Sequence, residues 1–266
     1  MRMSSVLIPL LICAPLAAPG PARAGLIDAD VRKVEAAPAP DAVLPLDVGF
    51  IDESGRPVTL RNAIGGLPSV LVFADYTCRT LCGPILEFTV AGLAKTGLRP
   101  GADFHLVALG IDPKDKPAAA QAMRARHLDA GSPIGAATVF LTGSNAAVRD
   151  VTQAAGLRYS YDAEHDQYAH PAAVYVVDAK GRVRRVLSPL GLDAADLRLA
   201  IVDAGRGTVG TLADRIHLLC YGYDPVKGVY TERITSMLAV AAVITLVVML
   251  GGISLMARRE RRSLPP

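Results

Sequence analysis

Two cysteines with three residues between them are the residues of this chain best suited to chemistry. Cys78 and Cys82 come shortly after the apolar run Val70–Phe73, which is typical of a buried strand. A strand that ends and a helix that begins here would place a thiol at the positive end of the helix dipole, which favours the thiolate. Residues four apart share a helical face, so we expect both sulfur atoms to converge on one ion or on each other. The alternative is a pair of buried structural cysteines that never meet.

His170 is the candidate third member of this site. It lies just before a predicted strand at 173–177, and loops at the ends of neighbouring strands converge in an α/β sheet. Two thiolates and an imidazole make a soft, low-coordinate site suited to copper, whereas zinc usually takes a fourth ligand. A surface histidine is the alternative. His165 is a rival ligand, but its polar neighbours favour a solvated side chain.

The elements that must position these residues alternate between strands and helices. Two short strands flank a turn at 52–55, two more flank a turn at 178–181, and Ser144 is available as a helix cap. The other predicted strands are 69–74, 104–111 and 138–141, and the predicted helices run from the cysteines to Gly97 and over 116–128, 145–155 and 192–204. This order predicts an α/β fold with a mixed central sheet covered on both faces.

The N-terminus carries the features of a secretory signal. Residues 1–24 combine Arg2, an apolar stretch, and small residues at Ala22 and Ala24, which predicts a cleaved signal peptide that removes Cys13. The alternative is a retained anchor, although the apolar stretch is short for a membrane span.

The run from Met237 to Ala257 has no charged residue and predicts a transmembrane helix, since about 21 residues at 1.5 Å each span a hydrocarbon core of about 30 Å. The basic tail, 258–266, then places the C-terminus in the cytoplasm. A core helix of a soluble protein is the alternative. We expect a single-pass protein of the cell inner membrane with its main domain in the periplasm.

These features divide the chain into a signal peptide, a linker, a folded domain, a juxtamembrane segment, a transmembrane helix and a cytoplasmic tail. Their predicted bounds are 1–24, 25–44, 45–205, 206–236, 237–257 and 258–266. The net charge of +3 is inflated by the tail, and the sequence has no clustered basic face with interleaved aromatic residues, which argues against nucleic acid. Three cysteines remain in an oxidising compartment, so one pair can form and one cysteine is left over.

Several ordered segments resemble the Sco/SenC family of thioredoxin-like copper proteins that serve cytochrome c oxidase assembly. Cys78 and Cys82 are similar to the CxxxC metal site of that family. Residues 44–60 resemble its entry hairpin, and 111–117 is similar to its Asp-Pro loop. His170 lies eleven residues before a glycine, in the register of the family's ligand histidine.

The resemblance covers roughly residues 44–200 and implies a thioredoxin-like fold. It also implies that Cys78, Cys82 and His170 bind one copper ion, as Cu(I) or Cu(II), and that the cysteines form a redox pair. The implied partners are the copper-bearing subunit of cytochrome c oxidase, the membrane, and other periplasmic copper carriers or thiol reductants. A thiolate pair suits both copper delivery and reduction of that subunit's cysteines.

Two other functions fit the same cysteines. A metal-free thiol-disulfide oxidoreductase or peroxidase needs the cysteine pair but not His170, whereas a copper site needs the histidine. A copper sensor or buffer would share the site and have no client protein.

The chain also departs from the family pattern. Gly83 follows the second cysteine where many members have proline. Leu81, directly before that cysteine, is similar to the pattern in a membrane-anchored branch of the family. Pro171 follows the histidine and is a candidate for the cis-proline of thioredoxin-like folds.

Four further residues have two interpretations each. His217 and Cys220 fit one helical turn, but two ligands are too few for a metal site, which favours a packing or juxtamembrane segment. Asp112 and Asp115 either tune the thiols or form an Asp-Pro turn and a helix cap.

Overall fold

The computed structural model describes residues 34–163, 166–205, 208–224, 227–232, 242–252 and 254. The predicted signal peptide and the predicted cytoplasmic tail lie outside these residues. Of the predicted transmembrane segment the structure describes 242–252, which are helical, and residue 254. Within the described part of the chain, no helix has both the length and the apolar character needed to cross a membrane.

The described elements alternate much as the sequence predicts. In chain order, the strands are β1 (Glu35–Ala36), β2 (Gly49–Asp52), β3 (Pro57–Thr59), β4 (Ser69–Ala74), β5 (His105–Gly110), β6 (Thr138–Thr142), β7 (Leu157–Arg158), β8 (Ser160–Asp162), β9 (Gln167–Ala169), β10 (Val174–Val177), β11 (Val183–Leu187), β12 (Tyr221–Asp224) and β13 (Val229–Glu232). The helices are α1 (Leu60–Ile64), α2 (Cys82–Leu93), α3 (Pro117–His127), α4 (Pro133–Ala136), α5 (Asn145–Ala154), α6 (Ala194–Ala204) and α7 (Leu212–Cys220), with a 3-10 turn at Pro189–Gly191.

A seven-stranded mixed sheet forms the centre of the protein, in the order β11-β10-β4-β5-β6-β2-β3. β4, β5 and β6 are parallel neighbours, while β10 and β11 continue the sheet antiparallel on one side. The hairpin of β2 and β3 continues it antiparallel on the other side. The predicted mixed α/β architecture is therefore confirmed.

Both faces of this sheet are buried because successive side chains of a strand point in opposite directions. In β4, Val70, Val72 and Ala74 join the core under α2, α3 and α6. Leu71 and Phe73 join the core under α1 and α5 on the other face. The continuous apolar run of β4 thus reflects its central position, which fixes where the chain emerges at the cysteines.

The residues after α6 pack against the same domain. Val209 is buried in the core, and Arg198 of α6 donates two hydrogen bonds to the carboxylate of Asp214 on α7, at 2.6 and 2.7 Å. The hydroxyl of Tyr223 accepts a hydrogen bond from the amide of Val186 at 3.2 Å and donates one to the same residue's carbonyl. The described part of 206–236 is therefore attached to the edge of the sheet.

The sequence pattern misses the short elements. The most important of these is the β8–β9 hairpin, which pairs separately from the central sheet and leads into the candidate ligand histidine. The cis-proline interpretation is also wrong, because the described residues contain no cis peptide bond and Pro171 is among them.

Candidate metal centre

The topology brings the predicted site residues to one end of β4. The chain leaves β4 at Ala74 and passes through a turn before α2 begins at Cys82. β10 runs antiparallel to β4, with Val174 opposite Val72, so the residues that precede β10 lie beside the carboxyl end of β4. His170 belongs to that preceding segment, which explains why it reaches the cysteines.

The three predicted side chains lie together at this point. The Nε2 atom of His170 is 3.3 Å from Sγ of Cys82. Sγ of Cys78 is 3.3 Å from the hydroxyl of Thr80, and neither cysteine forms a disulfide. Cys82 is only 3% exposed, whereas Cys78 is partly exposed. The site therefore has one sulfur accessible to a partner and one beneath it.

The two cysteines do not share a helical face, so that expectation is wrong. α2 begins only at Cys82, with Leu81 as its N-cap residue, and Cys78 lies in the preceding turn. This turn is closed by the amide of Cys78, which donates to the carbonyl of Asp75 at 3.1 Å. The sulfur atoms nevertheless meet, because the turn folds Cys78 back over the start of the helix.

This position favours the thiolate of Cys78. The hydrogen bond from the Cys82 thiol has the largest effect and lowers the pKa of Cys78 to about 4, against the opposing effect of burial. The hydroxyl and amide of Thr80 and the amide of Cys82 add further hydrogen bonds to the same sulfur. Cys78 is therefore ionised at neutral pH and is the nucleophile of the pair.

Cys82 has the opposite character. Its hydrogen bond to the Cys78 thiolate, burial, and repulsion from that thiolate together raise its pKa far above the usual range of a thiol. Burial also lowers the pKa of His170, which favours the neutral imidazole. The Nδ1 atom of His170 is 3.1 Å from the carbonyl of Pro171, and since a carbonyl only accepts, Nδ1 carries the proton. Nε2 then presents its lone pair to Cys82.

These protonation states make the three side chains suitable for a soft metal ion. A thiolate, a thiol and an imidazole lone pair face one another, and the single proton of Cys82 has two acceptors, Cys78 and His170. When that proton leaves, two thiolates and one imidazole are directed at the same space. This donor set suits copper, and the rival ligand His165 lies outside the described residues.

Three buried carboxylates lie behind the cysteine turn, with oxygen atoms within 4.8 Å of one another: Asp75, Asp112 and Asp115. Asp112 accepts from the amide of Lys114 at 2.8 Å, as expected of an Asp-Pro turn. Asp115 accepts from the amide of Tyr76 at 3.0 Å, and burial raises its pKa to about 6. Both residues therefore support the backbone near the site.

Sequence reasoning missed the role of Asp75. Its carboxylate accepts hydrogen bonds both from the cysteine turn and from β9, the strand before His170. The one signal in the sequence is its position directly after a buried strand, and that position alone does not reveal the second contact.

The structure also explains Gly83. A Cβ atom at this position would lie 2.4 Å from Cε1 of His127. The imidazole of His127 is held there by Glu87, whose carboxylate oxygen is 2.7 Å from Nδ1. The first turn of α2 thus leaves room for a histidine from α3 only because residue 83 has no side chain.

The second candidate cluster does not form part of this site in the described residues. His217 lies on α7 with an exposed side chain, and the side chain of Cys220 lies outside what the structure describes. The interpretation of this segment as a packing element is supported by the contacts of α7 with α6.

Solved structures show the same fold. A candidate electron transfer protein from Aquifex aeolicus VF5 has a TM-score of 0.55 at 20% identity, and the match covers 62% of this chain and 94% of that protein. Arabidopsis thaliana ScoI, solved with copper bound, has a TM-score of 0.50 at 19% identity over 59% of this chain and 95% of its own. BsSco, described as a member of the Sco family of cytochrome c oxidase assembly proteins, has a TM-score of 0.51 at 20% identity. The match covers 65% of this chain and 99% of BsSco.

Because the identities are low, these likenesses show that the fold is shared and nothing about function. No curated protein matches the chain. The sequence profile of the SCO1/SenC family matches residues 44–202, which are more than half of the chain and include the two cysteines and the histidine. The chain therefore belongs to the SCO1/SenC family.

Proposed function

We propose that this protein binds one copper ion through Cys78, Cys82 and His170. The observation that carries this proposal is the 3.3 Å separation of His170 Nε2 from Cys82 Sγ, with Cys78 in the turn that leads into Cys82. Two atoms that bind one ion at about 2.0 to 2.3 Å can have this separation. The Nδ1 contact with Pro171 fixes the imidazole in the orientation that a ligand needs.

The client we propose is the copper-bearing subunit of cytochrome c oxidase, whose dinuclear copper centre this protein helps to assemble. Support comes from family membership, from the description of BsSco as a cytochrome c oxidase assembly protein, and from the copper bound to Arabidopsis thaliana ScoI. Other periplasmic copper carriers or thiol reductants would load copper or restore the reduced cysteines.

Thiol reduction is the second candidate function, and the unequal cysteines favour it. The Cys78 thiolate attacks a disulfide of the client, forms a mixed disulfide and releases one client thiolate. Cys82 then loses its proton and attacks Cys78, which releases the second client thiolate. The client gains two electrons, and this protein is left with a Cys78–Cys82 disulfide. A metal-free oxidoreductase would use the same two steps.

The location we propose rests on the sequence. The signal peptide, 1–24, sends the domain to the periplasm, and a transmembrane helix over 237–257 holds it at the cell inner membrane with the tail, 258–266, in the cytoplasm. This places the chain in a membrane-anchored branch of its family. Because an oxidase subunit lies in the same membrane, the tether raises the effective concentration of the domain at its client.

Copper titration of the reduced protein with and without His170 tests this proposal. We expect one copper ion per chain, and His170→Ala should weaken Cu(II) binding more than Cu(I) binding, because two thiolates still hold the softer ion. His105→Ala is the matched control, since His105 begins β5 at the opposite end of the sheet. Equal Cu(II) affinity in both variants would remove His170 from the site, and an absence of copper binding with retained disulfide exchange would establish the metal-free function.

A further inference from the structure

The carboxylate of Asp75 joins the two halves of the candidate site. Asp75 is the first residue after β4 and is completely buried. Its Oδ1 atom accepts hydrogen bonds from the amide of Thr77 at 2.9 Å and from the hydroxyl of Thr77 at 2.8 Å. Its Oδ2 atom accepts from the amide of Tyr168 at 3.1 Å, across 93 positions of sequence. One side chain therefore holds the turn that carries Cys78 and the strand that leads to His170.

We propose that Asp75 is the positioning residue of this site: it fixes the separation between the cysteine turn and His170 through its hydrogen bonds to Thr77 and Tyr168. This inference concerns the arrangement of the site, and its consequence for copper rests on the proposed function.

The topology explains why such a residue is needed. β9 pairs only with β8 among the described strands, so the backbone ladder of the central sheet does not hold the segment before His170. A second link joins the hairpin to the Asp-Pro loop, where Lys114 forms an ion pair with Asp166 and lies 5.1 Å from the ring centroid of Tyr161.

The burial of each link indicates which of the two holds the β8–β9 hairpin more strongly. The side chains of Lys114 and Asp166 are 57% and 69% exposed, and exposed ion pairs contribute little to stability. The hydrogen bond from Tyr168 to Asp75 is partly buried and has a charged acceptor, which makes it stronger than a hydrogen bond between neutral groups. Asp75 also lies nearer in sequence to the cysteines than Lys114 does, since it begins their turn.

The carboxylate of Asp75 also acts on the site through its charge, which raises the pKa of both Cys82 and His170. By contrast, the described side-chain hydrogen bonds of Asp112 and Asp115 are confined to the backbone of Lys114 and Tyr76, and Asp112 also lies 3.9 Å from Nζ of Lys114. Asp112→Asn therefore removes a charge from the same cluster without removing a hydrogen bond to β9, which makes it the matched control.

The first test uses the metal-free, reduced full chain and does not depend on copper. Asp75→Ala should reduce hydrogen-exchange protection of the Tyr168 amide at least about tenfold and shift the ring-nitrogen NMR signals of His170. Asp75→Asn should restore most of both, because the amide oxygen can still accept from Tyr168, and the NH₂ group gives up only the bond from the Thr77 amide while it donates to the Thr77 hydroxyl. Asp112→Asn should leave both readouts as in the unsubstituted protein.

Unchanged protection and unchanged His170 signals in Asp75→Ala would overturn the inference. If that variant does not fold, replacement of Tyr168 by its α-hydroxy analogue exchanges the donor N–H group for an ester oxygen and keeps every side chain. The analogue should give the same His170 shift, and no shift would again overturn the inference.

The second test is a double-mutant cycle on Cu(II) affinity. If Asp75 acts by holding His170, Asp75→Ala should lose most of its effect when His170 is already alanine. Additive effects would assign Asp75 a general structural role and overturn the inference. If the unsubstituted protein binds no copper, the proposed function fails, whereas the exchange experiment still decides the role of Asp75.

Discussion

The Nε2 atom of His170 lies 3.3 Å from Sγ of Cys82, although the two residues are 88 positions apart in the sequence. The antiparallel pairing of β10 with β4 produces this contact, because it returns the chain to the end of β4 from which the cysteine turn departs. The thiol of Cys82 carries the proton in this contact, and a metal ion that binds both side chains must displace that proton.

We expect copper binding near pH 7 to release about one proton per ion. Cys78 is already a thiolate and His170 is neutral at Nε2, so Cys82 is the one ligand that must lose a proton. Calorimetric titrations in buffers with different ionisation enthalpies measure this number. A value near two would show that Cys78 or Nε2 of His170 also binds a proton in the metal-free protein.

Alkylation of Cys78 should be almost independent of pH between about 6 and 9, because its pKa is lowered to about 4. Cys82→Ala should restore a rise in rate over this range, since the Cys82 thiol is the largest cause of the shift. Peptide mass spectrometry after timed iodoacetamide treatment gives both rates. The same rise in the unsubstituted protein would contradict the assigned thiolate.

Most of the fold follows from patterns that act locally. The apolar run of β4 and the Ser144 cap, which accepts from the amide of Ala147 at 3.2 Å, are signals carried by neighbouring residues. His170 is assigned to the predicted site by its position just before a predicted strand, and the family resemblance adds its register relative to a glycine. The periodicity does not show that α2 begins only at Cys82, and the contact of Asp75 with Tyr168 joins residues 93 positions apart, so no local pattern encodes it.

Asp115→Asn should flatten the pH dependence of stability in the oxidised protein, in which neither Cys78 nor Cys82 titrates. Burial raises the pKa of Asp115 to about 6, so between about pH 4 and 6 the folded state binds more protons than the unfolded state. The free energy of unfolding therefore falls as pH rises through this window, by up to about 3 kcal/mol. Urea denaturation at several pH values checks this, and an identical slope in the variant would contradict the assignment.

Gly83→Ala should destabilise the protein even though alanine favours helices. The new Cβ would lie 2.4 Å from His127, which must then move away from Glu87, and overpacking of this kind costs about 1 to 3 kcal/mol. His127→Ala should remove most of this cost, because the clash is with the imidazole. Thermal denaturation of the two single variants and the double variant measures the coupling, and additive effects would show that the imidazole does not cause the cost.

Asp214→Ala should detach α7 from the domain. The Asp214 carboxylate is buried, receives two hydrogen bonds from Arg198, and also accepts from the amide and hydroxyl of Thr211 at the start of the helix. These groups hold the pKa of Asp214 well below its usual range. Its contribution to stability is therefore present above about pH 4 and is lost as pH falls below that value.

The matched control is Asp47→Ala, which removes an arginine–aspartate ion pair that lies on the surface. Arg61 donates two hydrogen bonds to Asp47 at 2.9 and 3.0 Å, but the two side chains are 58% and 83% exposed. At pH 7 we expect Asp214→Ala to lower the free energy of unfolding by about 2 kcal/mol, because Arg198 is left partly buried without its partner. Asp47→Ala should leave stability nearly unchanged. Urea midpoints and the rate of proteolysis within α7 measure the difference. If Asp214→Ala and Asp47→Ala have equal midpoints and α7 is not cleaved faster in Asp214→Ala, the Arg198–Asp214 pair does not hold α7 in place.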